Sequence, residues 1–339
     1  MIRSNLVKLS LVLLLVAVAG AAGGCGGRTE GALPEVRLSE VVRSVFYAPQ
    51  YVALKEGFFA AEGLDITELT TAWGADKGAA DLLAGTADIA LFGPEAGIYV
   101  AAQGAENHFI AFAQLTATDG SFFLSREPQP DFTWDDVRGK TIIGGRAGGV
   151  PQMIMEYVLR ENGIDPHGDL DMVQNIQFNA TAGAFQGGMG DFIQLFEPTA
   201  SAFERTGTAH IVASFGIEGG QLPYTVYHAT KEYAAANPEV LQKFTNAVYR
   251  GQLWVENHSA EEVTDVILEY FPDTEREEIV KSVERYKAQG SWAPNPVMSK
   301  ESLDRLQTIM IEAGELAEPI PYETIVTTEF AEETLRRVK

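Results

Sequence analysis

Between residues 35 and 230 the chain alternates short strand-like runs with segments in which apolar residues recur at helical spacing. The run 87–92 (ADIALF) is typical of a buried strand, whereas 49–59 (PQYVALKEGFF) has the spacing of a helix with proline in its first turn. Strands that alternate with helices over this length indicate an α/β fold with mainly parallel sheets, because each helix returns the chain to the same edge of a sheet.

The pattern changes after residue 230, where helical spacing takes over. Four amphipathic helices are predicted, at 238–257, 260–270, 275–289 and 299–313. Ser259 and Ser299 are predicted N-caps, because a serine hydroxyl can accept a hydrogen bond from a free amide of the first turn. The tail 315–339 is polar and shows no clear core face. A chain of 339 residues is long enough for about two domains.

The first 24 residues have the features of an export signal. Arg3 and Lys8 supply a positive start, an almost entirely apolar run follows at 9–22, and small residues end the segment. The apolar run is shorter than the roughly 20 residues that a transmembrane helix needs. The only cysteine of the chain, Cys25, comes directly afterwards.

The surroundings of Cys25 resemble a bacterial lipobox, in which the cysteine after the cleavage site is acylated. The resemblance implies a signal peptide at 1–24, a lipid-anchored tether at 25–34 and a location on the extracytoplasmic face of the cell membrane. Ala22 stands where the lipobox usually has leucine. Ordinary secretory cleavage near Ala22 is therefore the alternative.

Composition and motif content exclude several classes of function. With 47 acidic and 25 basic residues the net charge is −22, which disfavours nucleic-acid binding because that requires clustered cations. A single cysteine cannot form an internal disulfide, a zinc cage or an iron–sulfur cluster. The five histidines are scattered, and the chain has neither a G-x-S-x-G nor an H-E-x-x-H motif. We therefore predict no catalytic residues, no metal site and no cofactor.

Candidate ligand-binding residues fall where predicted strands end, which is where α/β sheets form their sites. The glycine-rich turn 144–149 leads from a strand into a helix, so it could bind an anion through backbone N–H groups or simply permit a tight turn. Trp73, in a glycine-flanked loop, either lines a site or packs locally. Glu197 follows the apolar run 192–196 and either accepts hydrogen bonds from a ligand or caps the next helix.

Several motifs together resemble those of solute-binding proteins of ABC importers, in the subgroup that serves sulfonates, nitrate and thiamine-pyrimidine precursors. The resemblance covers about residues 35–314. Its motifs are APQYVALKEGFF at 48–59, EGLDI at 62–66, the segment 79–94 ending in ADIALFGP, WDDVRGKTI at 134–142, and the pair Glu197-Pro198.

This resemblance implies a two-lobe α/β fold of the periplasmic-binding-protein type II, with two hinge strands crossing between the lobes. Lobe 1 would comprise 35–120 plus 229–339, lobe 2 would comprise 121–228, and the crossings would lie near 116–123 and 223–230. A small-molecule ligand would bind in the cleft of a monomer that works with an ABC permease and ATPase. The expected ligand-binding residues are Phe46, Tyr47, Trp73, Gly74, Gly93, Pro94, Gly148, Gly149, Val150, Pro151, Asn179, Glu197 and Tyr224.

Two ligand classes remain open. A small anion, such as a sulfonate or nitrate, would use a helix N-terminus, here the turn 148–151. A planar heteroaromatic, such as a pyrimidine or a flavin-like vitamin, would use stacking aromatic rings and a carboxylate. Phe46, Tyr47, Trp73 and Glu197 favour the heteroaromatic, with Trp73 stacking from lobe 1 and Glu197 accepting a hydrogen bond from lobe 2.

Two alternatives to an importer component are also open. Thiamine-pyrimidine synthases of the same family are enzymes, but they use a cysteine-rich motif that this chain lacks. A receptor that signals rather than imports is not separable from an importer component by sequence.

Overall fold

The strand-like runs form two separate five-stranded sheets in the computed structural model, which describes residues 33–339. The predicted export signal, Cys25 and most of the predicted tether lie outside the described residues. The strands are β1 (Glu35–Glu40), β2 (Asp65–Thr71), β3 (Ile89–Phe92), β4 (Phe109–Thr116), β5 (Ser121–Ser125), β6 (Thr141–Ile143), β7 (Asp171–Val173), β8 (Phe192–Phe196), β9 (His210–Ser214) and β10 (Thr225–Thr230).

Helices connect and cover these strands. The α-helices are α1 (Ala48–Lys55), α2 (Phe58–Ala61), α3 (Ala75–Ala84), α4 (Pro94–Ala102), α5 (Val150–Glu161), α6 (Thr181–Gln186), α7 (Thr199–Thr206), α8 (Phe215–Glu218), α9 (Lys231–Ala236), α10 (Pro238–Asn257), α11 (Ala260–Ile267), α12 (Arg276–Ala288), α13 (Lys300–Glu312), α14 (Tyr322–Ile325) and α15 (Glu329–Arg337). Short 3₁₀ turns occupy Val45–Tyr47, Trp134–Val137, Phe178–Ala180 and Leu268–Tyr270. No helix within residues 33–339 is long and apolar enough to cross a membrane.

Each sheet combines parallel strands with one reversed strand. The first sheet, in lobe 1, has the order β2-β1-β3-β10-β4, and the second, in lobe 2, has the order β7-β6-β8-β5-β9. Strand β10 is antiparallel to both of its neighbours, as is β5 in the second sheet, while the other pairings are parallel. Strands β5 and β10 are the first strands after the chain crosses from the other lobe. Each therefore enters its sheet from the side opposite to the other strands, which makes it antiparallel to its neighbours.

The two crossings between the lobes run side by side. The first joins β4 to β5 through 117–120, and the second enters β10 through 219–224. They are held together by the Leu222 amide donating to the Ala117 carbonyl at 2.9 Å and by the hydroxyls of Thr116 and Thr225, 2.6 Å apart. Because 225–228 pair with strands of the first sheet, the predicted end of lobe 2 at residue 228 is a few residues late.

A short turn separates the first strand from the first helix. Strand β1 ends at Glu40, and Phe46 and Tyr47 lie in the following 3₁₀ turn. This turn is capped by Ser44, whose hydroxyl accepts a hydrogen bond from the Phe46 amide at 3.2 Å. Both aromatic rings are buried, because the turn folds them inward between the lobes.

The C-terminal helices cover lobe 1 and reach beyond it. Both predicted caps are confirmed, since Ser259 accepts from the Glu262 amide at 3.2 Å and Ser299 from the Ser302 amide at 3.1 Å. Helix α10 packs on α1, and α12 also contacts α7 of lobe 2. The guanidinium of Arg305 on α13 donates to carbonyls of the second crossing.

The tail 315–339 does have a core face, contrary to expectation. Phe330 and Thr334, one helical turn apart on α15, are buried against α10. The Gln242 side chain of α10 donates to the Phe330 carbonyl at 3.1 Å and to the Thr334 hydroxyl at 3.0 Å. Of the three buried residues of α15, Ala331 is small and Thr334 is polar, so the buried face does not show as an apolar stripe in the sequence.

Candidate functional site

Strand ends from both sheets meet around a cavity of about 960 Å³ between the lobes, here called the inter-lobe cavity. The segments that follow β1, β2 and β3 form its lobe 1 wall, and those that follow β6, β7 and β8 form its lobe 2 wall. Sites in α/β sheets form at the carboxyl ends of parallel strands. In this chain two such edges face each other and enclose one space.

The structure brings most of the predicted site residues to this cavity. Phe46 is 1% exposed and is enclosed by other aromatic rings, and neither it nor Pro94 lines the cavity. For these two, the geometry gives the predicted ligand contact no support. The predicted residues that do line the cavity are Tyr47, Trp73, Gly74, Gly93, Gly148, Gly149, Val150, Pro151, Asn179, Glu197 and Tyr224. Their contact with a ligand stays a prediction.

Trp73 stands on the lobe 1 wall without joining the core. Its side chain is 37% exposed, and its backbone has φ = 60°, a left-handed conformation that is unusual for a bulky residue. The turn is held in place by the Gly74 amide, which donates to the Val41 carbonyl at 3.2 Å. A bulky aromatic side chain in a strained backbone conformation at a cavity is a feature that clusters at functional sites.

Direct contacts already link the two walls. The Arg146 guanidinium donates to Asp76 at 2.6 Å, and the Tyr99 hydroxyl donates to the Gly148 carbonyl at 2.9 Å. Gly74 makes the ion pair possible, because a Cβ there would lie 2.4 Å from the Asp76 carboxylate and 2.9 Å from the Arg146 guanidinium. The lobes are therefore closed over the cavity.

The glycine-rich turn 144–149 has several of its N–H groups already engaged. The Gly145 amide donates to the Gln194 side chain and the Gly148 amide to the Gln152 side chain, both at 3.0 Å. The Gly149 amide donates to the Arg146 carbonyl at 3.1 Å, and Pro151 has no N–H. The turn thus offers an anion fewer donors than the sequence suggested.

Both carboxylate oxygens of Glu197 accept hydrogen bonds from protein groups. Ser201 donates to it from both its amide, at 2.8 Å, and its hydroxyl, at 3.0 Å, while Arg285 donates at 2.7 Å. These contacts cap α7 and neutralise the charge, which is the alternative that the sequence left open. Hydrogen bonding of Glu197 to a ligand stays a prediction, and these contacts favour the capping alternative.

Glu95, in the first turn of α4, is a cavity residue that sequence reasoning missed. It is 4% exposed, and its Oε2 has no hydrogen-bond partner within residues 33–339. Burial raises the pKa of Glu95 to about 7, although backbone N–H groups including those of Ala96 and Val150 favour the charged form. A glutamate after Gly-Pro looks like an ordinary helix-start residue, and only the tertiary fold buries it.

The other charged side chains around the cavity are paired. Arg43 donates to Glu40 at 2.5 Å, Arg146 pairs with Asp76, and Glu197 pairs with Arg285. Among the cavity-lining residues that the structure describes, Glu95 is the charged residue without an opposite charge beside it. The described part of the chain also contains no cluster of histidine, cysteine and carboxylate side chains suited to a metal ion.

The sequence profile of the family described as NMT1/THI5 like matches residues 46–262 of the chain. A relative in Bacillus subtilis (strain 168), named "Putative binding protein YtlA", is 50% identical over 305 residues, which is 90% of this chain and 91% of the relative.

Solved structures share the fold at low sequence identity. The alkanesulfonate-binding protein SsuA of Xanthomonas axonopodis pv. citri, bound to MOPS, has a TM-score of 0.70 at 17% identity over 88% of this chain and 99% of its own. The periplasmic nitrate-binding protein NrtA of Synechocystis PCC 6803 has a TM-score of 0.72 at 16% identity over 91% of this chain and 89% of its own.

Proposed function

Because the chain belongs to the NMT1/THI5-like family, we propose that it is the solute-binding component of an ABC importer. It captures a small molecule in the inter-lobe cavity and delivers it to a membrane permease that is driven by an ATPase. The name of the Bacillus subtilis relative and the binding-protein titles of the fold neighbours support this proposal.

The observation that carries the proposal is the cavity enclosed between two lobes joined by two adjacent crossings. Its volume of about 960 Å³ lies at the upper end of the roughly 300–1,000 Å³ of small-molecule sites. Relative rotation of the lobes about the crossings would open the cavity, and closure would create a new surface for the permease.

The ligand that this cavity favours is a small heteroaromatic compound. Trp73 presents an unpacked aromatic face, while Tyr47 and Tyr224 line the same space. Stacked or edge-to-face aromatic contacts contribute about 0.5–1.5 kcal/mol beyond the area that they bury. Engagement of the N–H groups of the turn 144–149 weighs against a small anion.

The protein acts outside the cytoplasm as a lipid-anchored monomer, with Cys25 acylated. This step rests on the export-signal pattern and on the single cysteine that follows it. Mass spectrometry of the mature protein from its host should find a diacyl or triacyl mass on Cys25. A mature chain that begins at another residue would contradict the anchor and leave solute binding untouched.

The protein binds its ligand without transforming it. A thermal-shift screen of heteroaromatic and anionic compounds on the purified protein tests the binding function. A ligand at a hundredfold excess over its Kd should stabilise the fold by about 2.7 kcal/mol. Small-angle scattering should show a chain at least as compact with ligand as without it. Release of a chemically altered compound would overturn the assignment as a binding protein.

A further inference from the structure

The charge pattern of the inter-lobe cavity does not suit an anion. Its two arginines are neutralised, Arg43 by Glu40 and Arg146 by Asp76. A sulfonate or nitrate would therefore find each of these arginines already beside a carboxylate that offsets its charge. Buried anions need paired charges or dedicated donors, because leaving water is costly for an ion.

The start of α5, which borders the cavity, has few N–H groups left for an anion. The amides of Gly145, Gly148 and Gly149 are used by protein acceptors. The amide of Val150, at the start of α5, favours the charged form of Glu95 across the cleft. The Glu95 carboxylate therefore occupies the position in which an anionic ligand would accept a hydrogen bond from α5.

One buried polar atom on the cavity lacks a protein partner. Glu95 is 4% exposed, and its Oε2 has no hydrogen-bond partner in the described part of the chain. Buried polar atoms in native structures are normally hydrogen-bonded, so an unpaired carboxylate oxygen on a cavity-lining residue indicates that a ligand satisfies it.

A glycine provides the space that the Glu95 carboxylate occupies. Gly93, the residue directly after the end of β3, lies next to the carboxylate, and a Cβ there would stand 2.0 Å from Oε2. Any other residue at 93 would displace the carboxylate. The position of the Glu95 carboxylate therefore explains why a glycine whose φ is an ordinary −70° occupies this position.

We propose that Glu95 is the specificity-determining group of the cavity, and that it accepts hydrogen bonds from the N–H groups of a nitrogen base while excluding sulfonate- and nitrate-type anions. This inference rests on the proposed solute-binding function. It separates this chain in specificity from fold neighbours named for alkanesulfonate and nitrate.

The chemistry requires one proton shared between ligand and protein. A charged carboxylate accepts from a protonated base such as an amidinium, and a neutral carboxyl group pairs with an unprotonated base by donating once and accepting once. In both cases Glu95 and the base together carry no net charge. An anion with a carboxylate forms no such pair.

The test compares matched probes on the purified protein by calorimetry. The nitrogen bases are 4-aminopyrimidine and benzamidine, 4-methylpyrimidine replaces the amino group by a methyl, and methanesulfonate and nitrate represent the anions. We expect the two bases to bind, the methyl analogue to bind about tenfold or more weakly, and the anions not to bind.

Glu95→Gln should weaken binding of both bases by about tenfold to a hundredfold. The same substitution should raise the melting temperature of the ligand-free protein, because it removes a buried charge. A purely structural role would move stability without moving affinity. Glu301→Gln is the matched control, since Glu301 holds the same second position of α13, is exposed, and lies away from the cavity.

The possible failures are distinguishable. Anion binding by the parent protein that is unchanged or strengthened in Glu95→Gln overturns the inference and leaves solute binding intact. Equal affinity of the methyl and amino probes also overturns it. Failure of every probe to bind, together with the absence of any solute in protein purified from its host, overturns the proposed function as well.

Discussion

The two walls of the inter-lobe cavity each carry a buried glutamate, and the chain treats the two carboxylates in opposite ways. Glu197 on the lobe 2 wall receives hydrogen bonds from Ser201 and Arg285. Glu95 on the lobe 1 wall has an oxygen with no partner among the described residues. A satisfied buried charge stabilises the local fold, whereas an unsatisfied one costs stability and is retained where a ligand needs it.

The contrast matters because both residues follow an apolar strand and precede a helix. Position alone made Glu197 the candidate ligand acceptor. The structure instead gives each carboxylate a role according to its neighbours, since only Glu197 has an arginine within reach. The following predictions test that division of roles, beginning with the largest expected effect.

Removal of the Glu197 carboxylate should destabilise lobe 2. Glu197→Ala removes the cap of α7 and a partner of Arg285, and breaking a buried pair costs about 3–5 kcal/mol. We expect about 3 kcal/mol, because Arg285 keeps its contact with Glu204 and is partly exposed. Denaturant unfolding measures the loss. Glu204→Ala, which breaks the more exposed contact, should cost less than about 1 kcal/mol. Equal losses for the two variants would contradict the account.

Replacement of Glu95 should stabilise the ligand-free protein at alkaline pH. Burial raises the Glu95 pKa from 4.5 to about 7, so the folded state holds a proton that the unfolded state has released. The stabilisation from this group is therefore complete below pH 4.5 and is lost as the pH rises through 7. Glu95→Gln should gain about 2 kcal/mol at pH 8, somewhat less than the full pKa difference implies, because a buried amide also costs free energy.

Unfolding curves at several pH values check this prediction. The advantage of Glu95→Gln should be absent near pH 4 and grow as the pH rises to 8. The titratable groups coupled to Glu95 are Tyr47, Tyr99 and Tyr224, which burial keeps neutral over this interval. Burial also raises the pKa of Asp119 to about 7. Part of the loss of stability with rising pH should therefore remain in Glu95→Gln. If Glu95→Gln were more stable than the parent protein by the same amount at every pH, the ionisation of Glu95 would not be the cause.

Truncation of Trp73 should affect binding and leave folding nearly intact. Trp73→Ala removes a stacking surface worth roughly 0.5–1.5 kcal/mol beyond its buried area. Because the ring lies outside the core, the free energy of unfolding of the ligand-free protein should change by less than about 0.5 kcal/mol. Trp254→Ala is the control, since that ring stacks on His258 at 3.7 Å and should lose stability without losing affinity. The reverse pattern would mean that Trp73 serves local packing.

The ion pair across the cleft should have the smallest effect. Asp76→Asn breaks the contact with Arg146, and an exposed pair is worth about 0–1 kcal/mol. We expect a slightly larger radius of gyration for the ligand-free variant in small-angle scattering, with the difference fading at high salt. Asp304→Asn breaks the equally short pair with Lys300 within one helix and should leave the radius unchanged. A larger radius of gyration in both variants would show that the change does not come from opening of the lobes.

The fold was largely predictable because hydrophobic periodicity records which faces are buried. Helix α10 occupies the predicted 238–257, and α12 lies within the predicted 275–289. The sheet membership of β10 was not predictable to the residue, because a strand that crosses between lobes has the same apolar pattern whichever sheet it joins. The core face of helix α15 was missed because two of its three buried residues, Ala331 and Thr334, are small or polar.

The site was predictable in position and not in role. Strand ends located the cavity, and the structure places Trp73, Gly148 and Tyr224 along it. Whether a carboxylate faces a ligand or a neighbouring side chain depends on contacts across many residues, such as Arg285 reaching Glu197. Local sequence does not show those contacts. For the same reason, Glu95 was not predicted as a cavity residue.

The central claim is that the cavity holds an exchangeable small molecule. Native mass spectrometry of the protein purified from its host, before and after mild unfolding, tests it most directly. The account predicts a bound compound that leaves unaltered on unfolding, contains a nitrogen base, and occupies a smaller fraction of Glu95→Gln than of the parent protein. A protein that carries no compound, and takes up none from an extract of host metabolites, would contradict the claim.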